Sequence, residues 1–198
     1  MHDRYTEVIA RAPAGLAKAP ENAFVLAAHA QTGRAQEFAP GRAIPAATPS
    51  ASLFTVRALP VETRFAVLDA IRCLRPDGRA FQPGLCLDLT LRYVSAAGMH
   101  RLLLAAQRRN GGVFPDCITL EDLHALLAPD IRTICARAAE SFSQGQTLRY
   151  AYWWQELTQG TAYRDLLYIP LMQLFNRHGL RLDRDSFRIA GLAPVPVD

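Results

Sequence analysis

The sequence predicts a predominantly α-helical fold, with strand limited to a small minor sheet or hairpin. Three observations predict it. Beyond residue 60 the apolar residues recur mostly three and four apart, the spacing that gathers side chains on one helix face. Ser, Thr, Pro and Gly stand where helices start and stop. Half of the 198 residues are hydrophobic, enough for one core burying roughly 70% of the unfolded chain's surface. The expected organisation is an N-terminal arm over residues 1–52 and one compact helical domain over residues 53–198.

In the arm, Tyr5 to Arg11 and Asn22 to Gln31 each read as a short helix, with Pro20 near the start of the second. Gly33 to Ser52 is rich in Pro and Ala and has no hydrophobic periodicity, so it reads as a linker. Pro60 then opens an amphipathic helix through Val61, Phe65, Leu68, Ile71 and Leu74, ended by the Pro76-Asp77-Gly78 turn. In Leu85 to Tyr93 the leucines alternate with Cys86, Asp88, Thr90 and Arg92, which predicts a strand; a helix beginning near Asp88 is the rival.

Ser95 to Arg109 is a helix stopped by Asn110-Gly111-Gly112, with Arg108 and Arg109 at the negative end of its dipole. Thr119 and Asp122 form a capping box opening a helix through Leu127, expected to end before Pro129. Further helices are expected at Ile131 to Phe142, Leu148 to Gln159, and Ala162 to His178, the last kinked by Pro170 and stopped by Gly179. Leu180 to Leu182 and Phe187 to Ala190 are extended pieces around a polar turn, faintly wing-like.

Four of the chain's aromatic residues fall in Tyr150 to Trp154. At about 100° per residue, Tyr150, Trp153, Trp154 and Leu157 share one stripe roughly 100° wide, so the sequence places them together in the core. Tyr152 falls on the opposite side. If the stripe faces outward instead, Tyr152, Trp153 and Trp154 are the candidate hot spot of a binding surface.

Of the 22 basic residues only Lys18 is a lysine. Residues 61–110 carry eight bases and four acids, whereas residues 111–198 carry eight and ten, so the positive charge is concentrated mid-chain. Arg72, Arg75, Arg101, Arg108 and Arg109 are therefore the candidate surface for a partner or for nucleic acid. The absence of a Gly-Lys phosphate loop excludes a Walker-type NTPase, and neither a dinucleotide fingerprint nor a zincin or hydrolase motif is present. Cys73, Cys86, Cys117 and Cys135 are too dispersed for a disulfide framework or a redox pair. Cys117, His124 and Cys135 lack zinc-ligand spacing, and Glu121 with His124 is a single Glu-x-x-His where di-iron bundles use two.

No cofactor and no metal are expected. No apolar run approaches the ~18 residues of a membrane span, and the first residues do not read as a secretory signal, which points to the cytoplasm. The resulting expectation is a helical interaction module with a protein partner: an adaptor or a subunit of a larger bacterial-type assembly, without catalysis of its own. Nucleic-acid binding through the Arg-rich 61–110 region is the alternative.

Overall fold

The computed structural model describes residues 7–29, 34–45, 51–57, 60–67 and 71–191. Strand dominates the first half of the chain. The elements run β1 (Glu7–Arg11), β2 (Ala23–Ala28), β3 (Ala35–Phe38), β4 (Ser52–Arg57), β5 (Val61–Val67), β6 (Cys73–Leu74), β7 (Ala80–Phe81) and β8 (Leu85–Tyr93). Then come α1 (Ala96–Arg109), β9 (Cys117–Thr119), α2 (Leu120–Ser143), β10 (Leu148–Arg149), α3 (Tyr150–Gln159), α4 (Ala162–Arg177), β11 (Leu180–Leu182) and β12 (Arg188–Gly191). The expected predominantly α-helical fold is thus overturned: the chain is α+β, with twelve strands in three sheets and four helices among the described residues.

The chain forms two units. The first comprises Met1–Val61, Leu91–Leu126 and Phe175–Arg181; the second comprises Glu62–Thr90, Leu127–Leu174 and Leu182–Asp198.

The first unit holds a five-stranded sheet in the order β3-β2-β4-β1-β9, antiparallel throughout. Val25, Ala27 and Phe38 pack on one of its faces with Ala19 and Ile44 from the flanking loops. On the other face, Leu26 pairs with Phe54 and Ile9 with Val56. Here α1 lies against β2 and β3, burying Met99, Leu102 and Leu103. With both faces covered, Val25 through Ala28 are all buried. That explains why residues 22–31 imitate a helix: a central strand buried on both sides reads as a continuous apolar run without alternation. Ala30 and Gln31 of that expected helix, like Tyr5 and Thr6 of the earlier one, lie outside the described residues.

Two glycines let α1 approach the turn after α4. A Cβ on Gly98 would overlap the backbone of Gly179, and one on Gly179 would overlap the Ser95 carbonyl. Gly179 also holds a φ of +76°, the left-handed region that suits a residue without a Cβ. Its carbonyl accepts from Val94 N–H at 2.9 Å, while Ser95 Oγ caps α1 by accepting from Gly98 N–H at 3.2 Å.

In the second unit, β12 runs antiparallel to β8, with Arg188 opposite Asp88 and Gly191 opposite Leu85. β5 joins the same sheet by pairing with β8. The expected helix from Pro60 to Leu74 is therefore corrected to β5 and β6; Leu68, Asp69 and Ala70 lie outside the described residues. In β5 the side chains of Val61, Phe65 and Val67 are buried while Glu62, Arg64 and Ala66 are exposed, the alternation of a strand with one covered face. Arg64 Nε meets Asp88 Oδ1 at 2.5 Å. The alternating leucines of β8 form the strand expected of them.

The expected break before Pro129 is also corrected. α2 runs unbroken from Leu120 to Ser143, and Thr133 Oγ1 donates to the Pro129 carbonyl at 2.9 Å. Pro129 forfeits one backbone hydrogen bond, and the flanking turns carry the helix through. The Thr119–Asp122 capping box is present: Thr119 N–H donates to Asp122 Oδ2 at 2.9 Å, and Asp122 N–H to Thr119 Oγ1 at 3.2 Å. No helix among the described residues is long and apolar enough to cross a membrane.

Candidate functional site

The aromatic tract turns the start of α3 into a surface feature. Leu148 and Arg149 pair parallel with Cys73 and Leu74, and Cys73 pairs with Phe81 across β7, so the first residue of α3 emerges beside a small three-stranded sheet. At its other end α3 stops at Gly160, whose N–H donates to the Glu156 carbonyl. The Glu156 side chain accepts from Tyr163 N–H at 2.9 Å, tying α3 to the start of α4.

Held at both ends, α3 presents its rings in two directions. Trp153 is fully buried. Its ring meets Tyr163 at 4.7 Å in a T-shaped contact and Phe142 at 5.8 Å, and Tyr163 donates its hydroxyl to the Cys135 carbonyl at 3.1 Å. The Trp153 Nε1–H finds no acceptor among the described residues. Trp154 is 39% exposed, and Tyr150 and Leu157 are only half-buried. The inward stripe of Tyr150, Trp153, Trp154 and Leu157 is thus corrected to a single inward residue, Trp153. A helix face is fully dry only where a second element lies over it, and 100° separates neighbouring residues.

Trp154 is seated nonetheless. Its benzo ring rests on Gly191 of β12, where a Cβ would overlap it. From there a run of rings crosses the surface: Trp154 to Tyr150 at 5.9 Å, Tyr150 to Phe81 at 5.1 Å, and the Arg75 guanidinium 4.8 Å from the Phe81 ring centroid. Burial, aided by the nearby Cys73, raises the Tyr150 hydroxyl above its ordinary value. Tyr152, 54% exposed, lies apart from this run and stacks on Phe142 at 5.9 Å with planes 11° apart.

The candidate arginines do not share one unit. Arg72 and Arg75 belong to the second; Arg101, Arg108 and Arg109 belong to the first. Arg72 is exposed just before β6, and neither it nor Arg75 pairs with a carboxylate among the described residues, whereas Arg79 faces Asp77 at 3.9 Å. Arg101 is exposed, with Nη1 3.4 Å from the Arg177 carbonyl. Arg108 and Arg109 are exposed in the last turn of α1, where Arg109 borders a cavity of about 370 Å³ with Asp116, Cys117 and Asp122.

Sequence reasoning missed Phe81 and Gly191, which lie some 70 and 40 residues from Trp154 and join it only through β7 and β12. An aromatic facing an isolated glycine leaves no local periodic signal.

Among the described residues no group of three or more His, Cys, Asp or Glu side chains is placed to hold a metal ion. Burial pushes the Cys73 thiol up to about 11 and the Cys135 thiol up to about 12, and it raises Cys86 and Cys117 as well. None of these thiols carries the depressed pKa of an activated nucleophile. No protein-family model matches the chain, and no curated protein matches it.

Proposed function

We propose that the protein is an interaction module, an adaptor or a subunit of a larger bacterial-type assembly without catalysis of its own, and that it docks a partner protein along the Trp154–Tyr150–Phe81–Arg75 run. One observation carries this reading: Trp154 is 39% exposed yet fixed in place by Gly191 and Tyr150. Trp, Tyr and Arg are the side chains that most often dominate binding energy, and rings already held in position lose little entropy on docking. Arg75 gives one end of the run a positive charge and pairs with no carboxylate among the described residues. The partner segment that fits is apolar or aromatic along its length and acidic at the end facing Arg75.

The test is affinity purification of the full chain from its native organism, in parallel with Trp154→Ala and Arg75→Glu variants whose melting temperatures are first compared with wild type. A partner retained by wild type and lost by both folded variants supports the reading. Identical retention by all three proteins, or none by any, overturns it.

A second reading, nucleic-acid binding, rests on Arg101, Arg108 and Arg109, all exposed on α1 with no carboxylate paired to them among the described residues. It requires affinity for single- or double-stranded nucleic acid that falls steeply with added salt. Absence of binding at low salt removes it.

A further inference from the structure

We propose that the cleft between the start of α4 and the turn leading into β12 binds a small hydroxyl-bearing phosphomonoester. The cleft encloses about 250 Å³ and is bordered by three arginines, Arg164, Arg184 and Arg188. Arg164 comes from the first turn of α4, with Tyr168 one turn further on, and the other two flank Phe187. Phe187 is buried, and its ring sits 6.3 Å from that of Tyr168, giving the cleft an aromatic side. The Arg184 guanidinium lies 5.4 Å from the Tyr168 ring centroid, which restricts an otherwise long and mobile side chain.

Each guanidinium carries five N–H donors, and none of the three arginines pairs with a carboxylate within ion-pair distance among the described residues. A single donor, Arg188 Nη1, bonds a backbone carbonyl, that of Phe187, at 3.0 Å. Three guanidiniums bordering one cleft without a paired carboxylate suit the oxygens of a phosphate, which arginine engages two at a time. Asp165 and Asp185 also border the cleft. They leave the local balance at one net positive charge and would repel a bare polyanion, while their oxygens accept from hydroxyl groups. Phosphate for the arginines and hydroxyls for the aspartates together describe the ligand, and the volume suits a compact molecule rather than a nucleotide.

The experiment is calorimetric titration of the full chain at low ionic strength with glucose 6-phosphate, inorganic phosphate and glucose as separate probes. The sugar phosphate is expected to bind most tightly, inorganic phosphate more weakly, and glucose not at all. Arg184→Gln is expected to weaken sugar-phosphate binding about tenfold or more, and Arg184→Lys, which keeps the charge but loses the planar fork, by less. Melting temperatures measured alongside show that each variant is folded. The wild-type protein carries an independent reading, since ligand should raise its melting temperature and added salt should erase that rise. Inorganic phosphate alone binding, glucose binding as well as glucose 6-phosphate, undiminished binding by Arg184→Gln, or no saturable binding up to about 10 mM would each overturn the proposal.

Discussion

Gly191 lies against the benzo ring of Trp154 so closely that a Cβ at position 191 would overlap the indole. Trp154 is thereby oriented without being buried, while Trp153, its neighbour in sequence, is fully enclosed. The two tryptophans should separate cleanly on substitution. Trp153→Ala is expected to cost about 3–5 kcal/mol, because it empties a fully buried site in ring contact with Phe142 and Tyr163. Trp154→Ala is expected to cost roughly half as much, since part of its ring already faces water. Urea denaturation of both variants measures this, and equal losses would contradict the assigned orientations. Gly191→Val should shift tryptophan fluorescence to the red as the Trp154 ring is pushed outward.

Gly179 combines two demands that can be tested apart. Its φ of +76° strains any other residue, and a Cβ there also meets the Ser95 carbonyl. Gly78 has a similar φ of +81° in the turn between β6 and β7, with open space around it. Gly78→Ala should therefore cost only about 1 kcal/mol, the conformational part. Gly179→Ala should cost appreciably more, about 2–4 kcal/mol, because backbone must move to admit the methyl group. Thermal melts of the two variants, compared directly, give the difference.

Where the sequence was legible, the local rule was the strongest available, as where the strict alternation in β8 outweighs the rival helix beginning near Asp88. The alternating leucines of β8, the helix over Ser95 to Arg109 with its Asn110-Gly111-Gly112 stop, and the Thr119–Asp122 box each predict the element that forms. The errors fall where two periods coincide. In β5, Val61 and Phe65 stand four apart, so they satisfy a helix and a strand equally, and Thr63 and Val67 decide for the strand only once a covering layer exists. β1 and β2 are short apolar runs, and their strand character depends on partners distant in sequence, more than a hundred residues away in the pairing of Ile9 with Ile118. The candidate site was half legible for the same reason. The helical wheel gathered Tyr150 and Trp154, but the neighbours that orient them, Phe81 and Gly191, come from strands distant in sequence.

The buried thiols give stability a pH dependence of defined sign. Burial raises Cys73 to about 11 and Cys135 to about 12 from the ordinary 9.0, so the folded state holds these protons more tightly than the unfolded state. Their contribution is fully present below about pH 9 and is lost as pH rises through the folded values, because unfolding then releases protons. Melting temperature should fall between pH 9 and 11, and less steeply in a Cys73→Ala, Cys135→Ala double variant. At pH 8 a thiol reagent should label both positions far more slowly in the folded protein than in urea, and equal rates would refute the assignment.

Pro129 offers the sharpest test of α2. If the helix ended before it, as its sequence alone suggests, Pro129→Ala would change little, since an exposed residue between two helices makes few demands. In an unbroken helix from Leu120 to Ser143 the proline removes one hydrogen bond to the Ala125 carbonyl, and its ring crowds the preceding turn. Proline in a helix interior costs about 3 kcal/mol relative to alanine, and the observed helix has already relaxed around it, so Pro129→Ala should stabilise by about 1–2 kcal/mol. Thr119→Ala, which removes the cap at the same helix's start, should destabilise by about 1 kcal/mol. The two sites are more than two turns apart and share no partner, so the double variant should sum to near wild-type stability. A Pro129→Ala variant no more stable than wild type would mean that the chain pauses at 129 as the sequence first implies.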